Sequence, residues 1–174
     1  RLLLFMGLLS MAVASLFMVG QRDMKRMLAY SSVEHMGILV LGLGLGAPAL
    51  FGTLLHVVNN GLTKGILFLS AGNIHRAYNS KSTEQVSGAM RRLPLSGTLF
   101  LVGFLAITGS PPFGPFISEF MILNGAFATG RAAVGALFLV LLLIVFIGMG
   151  ATVLKVVQGR PSFAARGTPY CDSV

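Results

Sequence analysis

Five ionisable side chains stand inside apolar runs of this sequence: Glu34 and His35 in "YSSVEHMG", His56 and Lys64 in "HVVNNGLTKGILFL", and Glu119 in "FISEFMIL". At the centre of a bilayer such a residue costs about 2.5–3.5 kcal/mol on insertion scales, so it normally faces the bundle or water and marks an ion or proton path. Thr53, His56, Asn60 and Lys64 recur every three or four residues, which draws one polar stripe along a helix. Lys64 lies about 20 Å from the Pro48 end at 1.5 Å per residue, too deep on that side for easy snorkelling. The blander reading sends its stem to the opposite headgroups, near Ala71.

Glu34 and His35 are adjacent, so on a helix they point about 100° apart and address different partner faces. Glu34 is either a structural partner for a basic loop residue or a neighbouring subunit, or a relay member. His35 reads as a pathway residue. His56 alone would be a packing histidine; on the Lys64 stripe it becomes a relay candidate. Glu119 follows "SPPFGP", where Pro111, Pro112, Gly114 and Pro115 break the helix and free backbone groups. A bare helix N-cap is the alternative for that carboxylate. Discontinuous helices recur where transporters place ion sites, and a buried carboxyl beside Lys or His forms a pair whose proton affinities depend on each other's charge.

The elements that must hold these residues are membrane helices. The 174 residues are 55% hydrophobic and 10% charged, against roughly 25% charged in an ordinary soluble domain. Apolar windows near the length of about 20 residues that a spanning helix needs give about five spans in an all-α transmembrane bundle. They are 2–19, 28–46, 50–71, 93–127 and 132–157, in a membrane domain 1–158 followed by a polar tail, 159–174. The fourth is a single span broken near 110–115, because unwound backbone at membrane depth is tolerated where it is buried in protein or lines a wet cavity. "GAP" at 46–48 makes the tight connection between the second and third.

Charge supports that count. On this reading Arg22, Lys25, Arg26, Arg76, Lys81, Arg91, Arg92, Lys155, Arg160 and Arg166 fall on one side, and only Arg1 and Arg131 on the other. Two full spans at 93–127 would reduce that to seven against five. The positive-inside rule makes the loops 20–27 and 72–92 cytoplasmic. The net charge of +8 is thus a topology signal and not a nucleic-acid footprint, since no amphipathic face interleaves basic and aromatic residues.

Other chemistries have weak signals. "GLGLG" at 42–46 lacks the strand and acidic residue of a dinucleotide site and suits helix packing through small residues. His35, His56 and His75 lack metalloprotease spacing, no metal set is expected, and no Ser, His and Asp set forms a soluble catalytic centre. Met6, Met11, Met18, Met24, Met27 and Met36 read as apolar filler. Cys171 is the single cysteine and excludes an internal disulfide framework. The chain opens at Arg1 without signal-peptide order and is expected to be a fragment.

"QRDMKRMLAYSSVEHMG", "NNGLTKGILFLSAGNI" and "ITGSPPFGPFISEFMIL", in that order, resemble the antiporter-like proton-translocating subunits of complex I, of Mrp-type antiporters and of energy-converting NiFe hydrogenases. The resemblance covers about residues 20–128, and "AYSSVEHMG" looks most like the hydrogenase-4 component F branch. It implies the second half of a longer subunit built from inverted repeats. His35 then matches the histidine of the "SxxHMG" motif, Lys64 the lysine of the "HxxxK" helix, and Glu119 the ionisable residue of the broken helix. Asn60 stands where many members have histidine, a step that His56 could supply.

The resemblance further implies an integral protein of a bacterial or archaeal cytoplasmic membrane. Its expected partners are the lipid bilayer, other membrane subunits and a peripheral redox arm. No cofactor belongs to this chain; NiFe, iron-sulfur, flavin or quinone sites are expected in partner subunits. The leading functional expectation is a proton-conducting subunit of a redox-driven complex, of hydrogenase-4, formate hydrogenlyase or NADH-quinone oxidoreductase type. The alternatives are a cation/proton antiporter subunit, with Glu119 and the carbonyls at "SPPFGP" as the sodium candidates, and a purely structural membrane subunit.

Overall fold

The computed structural model describes residues 1–80, 82, 83 and 85–158; Lys81, Glu84 and the expected tail 159–174, with Arg160, Arg166 and Cys171, lie outside the described residues. Seven helices carry those residues: α1 (Leu2–Met18), α2 (Met24–Leu45), α3 (Ala47–Tyr78), α4 (Ala89–Arg92), α5 (Pro94–Ile107), α6 (Gly114–Ala128) and α7 (Ala132–Val157). An isolated backbone bridge pairs Asp23 with Ser82, and no strand occurs among the described residues.

Several boundaries move from the expected ones, each for a local reason. Asp23 begins α2 at Met24 instead of merely closing the loop after α1: its Oδ1 accepts from the amides of Lys25 at 2.8 Å and Arg26 at 3.2 Å. Such a cap satisfies amides that a helix start leaves without partners. Pro48 belongs to the first turn of α3, where a missing N–H costs nothing, so Gly46 at φ 82° makes the turn. At its other end α3 continues past Ala71 to Tyr78, because His75 and Arg76 suit the negative end of a helix.

The helix break also shifts. Helical backbone stops at Ile107 and resumes at Gly114, so Gly114 and Pro115 open α6 and the break covers 108–113, including Pro111 and Pro112. The Thr108 hydroxyl donates to the Phe104 carbonyl at 2.8 Å, and the Ser110 amide to the Leu105 carbonyl at 3.0 Å. The break thereby satisfies part of the backbone it frees.

Both half-helices run antiparallel to α3 in one continuous register. Asn73 of α3 donates to Ser96 at 3.2 Å, Leu67 packs against Gly103, Asn59 against Gly114, His56 meets Ser118, and Ala49 lies against Gly125. At 1.5 Å per residue α5 and α6 are roughly 21 and 22 Å long, each short of the ~30 Å hydrocarbon core. Individually, α2 and α7 are long and apolar enough to cross a membrane. With 17 residues α1 is slightly short, and the polar stripe dilutes the apolar character of α3.

The two ends of the bundle differ in charge. The Thr83 amide and hydroxyl bond the Arg22 carbonyl at 2.8 and 3.0 Å, tying the 20–27 loop to the 72–92 loop. Arg92 lies over the Tyr78 ring at 4.8 Å on that same end. At the opposite end the Arg131 guanidinium donates to the Gly44 carbonyl at 3.2 Å, and Gly44 packs on Leu3 and Leu4, next to Arg1. The helices meet closely through small residues: a methyl group on Gly7 would stand 2.9 Å from the Gly37 carbonyl, the kind of approach that drives helix association in lipid.

Two apolar clusters fill the interior. One, near the basic end, includes Met18, Leu28, Leu67, Phe104, Ile107 and Val145; the other includes Met11, Ile38, Leu41, Ala49, Ile122 and Leu141. On α2, α3 and α6 the buried polar residues fall between the positions that feed these clusters. The outer faces stay apolar, with Phe5, Leu16, Phe51, Leu62 and Ile147 exposed, as suits lipid or neighbouring helices.

Candidate functional site

The layer between the clusters holds Ser31, Glu34 and His35 of α2, Thr53, His56, Asn60 and Lys64 of α3, and Ser118 and Glu119 of α6, all buried. Positions i, i+3 and i+4 on each helix turn these side chains toward one another. His35 Nδ1 and His56 Nε2 lie 2.9 Å apart, with the rings within 28° of parallel. His56 Nδ1 lies 2.9 Å from Ser118 Oγ, which donates to the Pro115 carbonyl at 2.9 Å.

Those bonds set a direction. A hydroxyl carries one proton, so Ser118, having donated to Pro115, accepts from His56 Nδ1–H. In the neutral ring that leaves His56 Nε2 bare, accepting from His35 Nδ1–H, and leaves His35 Nε2 bare as well. This last nitrogen faces Glu34 Oε2 at 3.9 Å. Adjacent residues on α2 therefore do converge, because the Glu34 side chain is long enough to reach round to the next ring.

Lys64 is 8% exposed, and its Nζ donates to the Leu28 carbonyl at 3.1 Å and to the Ser31 hydroxyl. Its head is thus anchored on α2 and not among headgroups. Both Glu34 oxygens are buried without a hydrogen-bond partner, one turn along α2 from Ser31. Lys64 and Glu34 lie in each other's electrostatic field but do not share a hydrogen bond.

Glu119 is the sixth residue of α6 and Phe113 is its N-cap position, which excludes a capping role for the carboxylate. Glu119 folds back over Gly109 in the break, where a methyl group would stand 3.0 Å from the carboxyl carbon. Its Oε1 has no partner, and the side chain lines a cavity of ≈ 320 Å³ between the break and α7, walled by Ser110, Pro111, Phe138 and Leu142. Thr53 is tied to its own helix, donating to the Ala49 carbonyl at 2.8 Å, and Asn60 is buried with Oδ1 unpartnered. His75 stands apart near the loops, among Gln21, Arg22 and Asn79.

Sequence reasoning overlooked Ser31, Asn59 and Ser118. Ser31 is the acceptor for Lys64, Ser118 orients His56, and Asn59 abuts Gly114 at the break. Their signal was small: uncharged polar residues in apolar helices, Ser31 and Asn59 three places from Glu34 and His56, and Ser118 next to Glu119. The structure also gathers His35, His56 and Glu119 so that one donor atom from each lies within 4.8 Å of the others, a grouping hidden in the linear spacing.

Known proteins share this architecture. A family model described as NADH:quinone oxidoreductase/Mrp antiporter, transmembrane, matches residues 1–148. The chain is 42% identical over 99% of its length to the hydrogenase-4 component F homolog of Methylacidiphilum infernorum, and covers 34% of that protein. Among solved structures, the Mrp complex of a Dietzia species aligns with a TM-score of 0.84 at 25% identity, over 91% of this chain and 31% of that one. An archaeal respiratory complex, the membrane-bound sulfane sulfur reductase, aligns at 0.85 and 25% identity, over 95% and 35%. The chain therefore spans about a third of the length of these relatives. The family match over residues 1–148, together with 42% identity to a relative over 99% of the chain, shows that this chain belongs to the transmembrane NADH:quinone oxidoreductase/Mrp antiporter family.

Proposed function

We propose that the chain is the proton-conducting part of a membrane subunit in a redox-driven complex. Protons pass along Lys64, Glu34, His35, His56 and Glu119, with Ser31 and Ser118 orienting the steps and Asn60 and Thr53 shaping the stripe. The observation that carries this reading is the buried hydrogen-bonded series His35–His56–Ser118 across three helices, ending beside Glu119 at a helix break. A structural role alone would favour apolar residues at these positions, given what buried ionisable groups cost. In the mechanism, loss or gain of charge at one group changes the proton affinity of the next.

On this reading α5 and α6 form one crossing, giving five crossings in all. The end that holds Arg22, Arg26 and Arg92 is cytoplasmic. The partners are further membrane subunits and a redox arm of hydrogenase-4 or quinone-reducing type, which carries the NiFe, iron-sulfur, flavin or quinone groups. No cofactor is assigned to this chain.

The test is proton pumping by the full-length complex in sealed vesicles, comparing wild type with Lys64→Ala and Glu119→Ala while assembly and redox turnover are monitored. Loss of pumping in assembled complexes supports the relay; unchanged pumping in both variants overturns it. The likeness to an Mrp complex favours a second reading, a cation/proton antiporter subunit. That reading requires pumping to depend on sodium, with Glu119 as the carboxylate ligand.

A further inference from the structure

We infer that His35, His56 and Glu119 form a binding site for a borderline-soft divalent cation, Zn²⁺ being the best match. Two imidazoles and a carboxylate are the ligand types this ion takes, with a fourth position left for water. The three residues come from α2, α3 and α6, and one donor atom from each lies within 4.8 Å of the others. Ligands bonded at 2.0–2.1 Å in a tetrahedron sit about 3.3 Å apart, so the 2.9 Å spacing of His35 Nδ1 and His56 Nε2 needs little adjustment.

The surroundings complete the site. Metal-bound histidines almost always donate their second N–H to an oxygen. His56 already directs Nδ1 to Ser118 at 2.9 Å, leaving Nε2 for an ion. If His35 binds through Nδ1, its proton moves to Nε2, which faces Glu34 Oε2 at 3.9 Å, so that a side-chain shift brings a donor to a carboxylate without a hydrogen-bond partner. The unpartnered Oε1 of Glu119 gains the ion itself. Glu34 and Glu119 then stand against the two charges of the ion and the Lys64 amine that shares Glu34's field, and Glu119 also borders the ≈ 320 Å³ cavity at the helix break.

Binding itself is independent of the proton reading, but its consequence rests on it: an ion that occupies both imidazole lone pairs blocks proton transfer through the pair. The test uses the purified full-length complex, loaded with Zn²⁺ and freed of excess, with metal content and Zn X-ray absorption as readouts. The expected result is one ion with two imidazoles and oxygen ligands, absent or weakened on the order of 10–100-fold in His56→Gln. Glu119→Cys is expected to keep the site and shift its preference at least about tenfold toward Cd²⁺, a gain that misfolding cannot imitate. Equal Zn²⁺ content in wild type and His56→Gln, or a shell without imidazole, overturns the site and leaves the relay untouched. Zn²⁺ bound in the expected shell without slowing proton pumping keeps the site and overturns the relay.

Discussion

His35 and His56, 21 residues apart on neighbouring helices, share a 2.9 Å hydrogen bond in the middle of an apolar bundle, and Ser118 on a third helix sets its direction. On the proposed reading, that orientation lets the pair pass protons one at a time. His56→Phe, which keeps bulk and removes both nitrogens, is expected to lower proton flux by about 100-fold at unchanged assembly. Ser118→Ala should lower it less, because the pair survives but loses the group that fixes its tautomer. Flux in sealed vesicles, normalised to redox turnover, checks both; equal activity of all three proteins would falsify the assignment.

Lys64 combines a charge with a mechanical role, since its head bonds to the Leu28 carbonyl and the Ser31 hydroxyl across the α2–α3 contact. Lys64→Gln retains donors of nearly the same reach and drops the charge. The expected outcome is an assembled complex that turns over its redox substrate without moving protons. Retained pumping in Lys64→Gln would show that the amine serves packing only.

Gly109 and Gly130 provide a matched pair, with φ of +65° and +68°. Alanine at either position bears the cost of left-handed backbone, about 1–2 kcal/mol. At Gly130 nothing lies within 4 Å of the added carbon, whereas at Gly109 it collides with the Glu119 carboxylate. Both variants should melt at lower temperature, but only Gly109→Ala should also lose proton flux, because Glu119 must move. Equal loss of flux in the two would separate the carboxylate's position from its function.

Asp23 holds the start of α2 through bonds to the amides of Lys25 and Arg26 at 2.8 and 3.2 Å. Asp23→Ala should cost about 1 kcal/mol. Amide hydrogen exchange at Lys25 and Arg26 should rise while that at Ile38 and Leu41, buried deeper in α2, stays slow. Uniform acceleration along the helix would point to global unfolding instead.

Much of the protein is legible in its sequence. Apolar runs mark the helical segments, because a membrane span must be long and must satisfy its own backbone. Boundaries are less legible: Asp23 and Pro48 read as loop residues, whereas the fold uses one as a helix cap and the other in a first turn. The stripe Thr53, His56, Asn60 and Lys64 is visible because helical periodicity is local information.

By itself, then, the sequence determined that this is a membrane protein with ionisable residues at depth, a broken helix beside Glu119, and a basic end. Only the tertiary structure decided which of those groups meet. His35 bonds His56 and not Glu34, Lys64 rests on Ser31, and Glu119 bends over Gly109. The physical reason is that periodicity tells which side of a helix a residue occupies, whereas the axial register between helices is set by close contacts such as Gly42 of α2 on Thr53 of α3 and Ala49 of α3 on Gly125 of α6. Those contacts join separate helices, and they are what places three helices' polar groups at one depth.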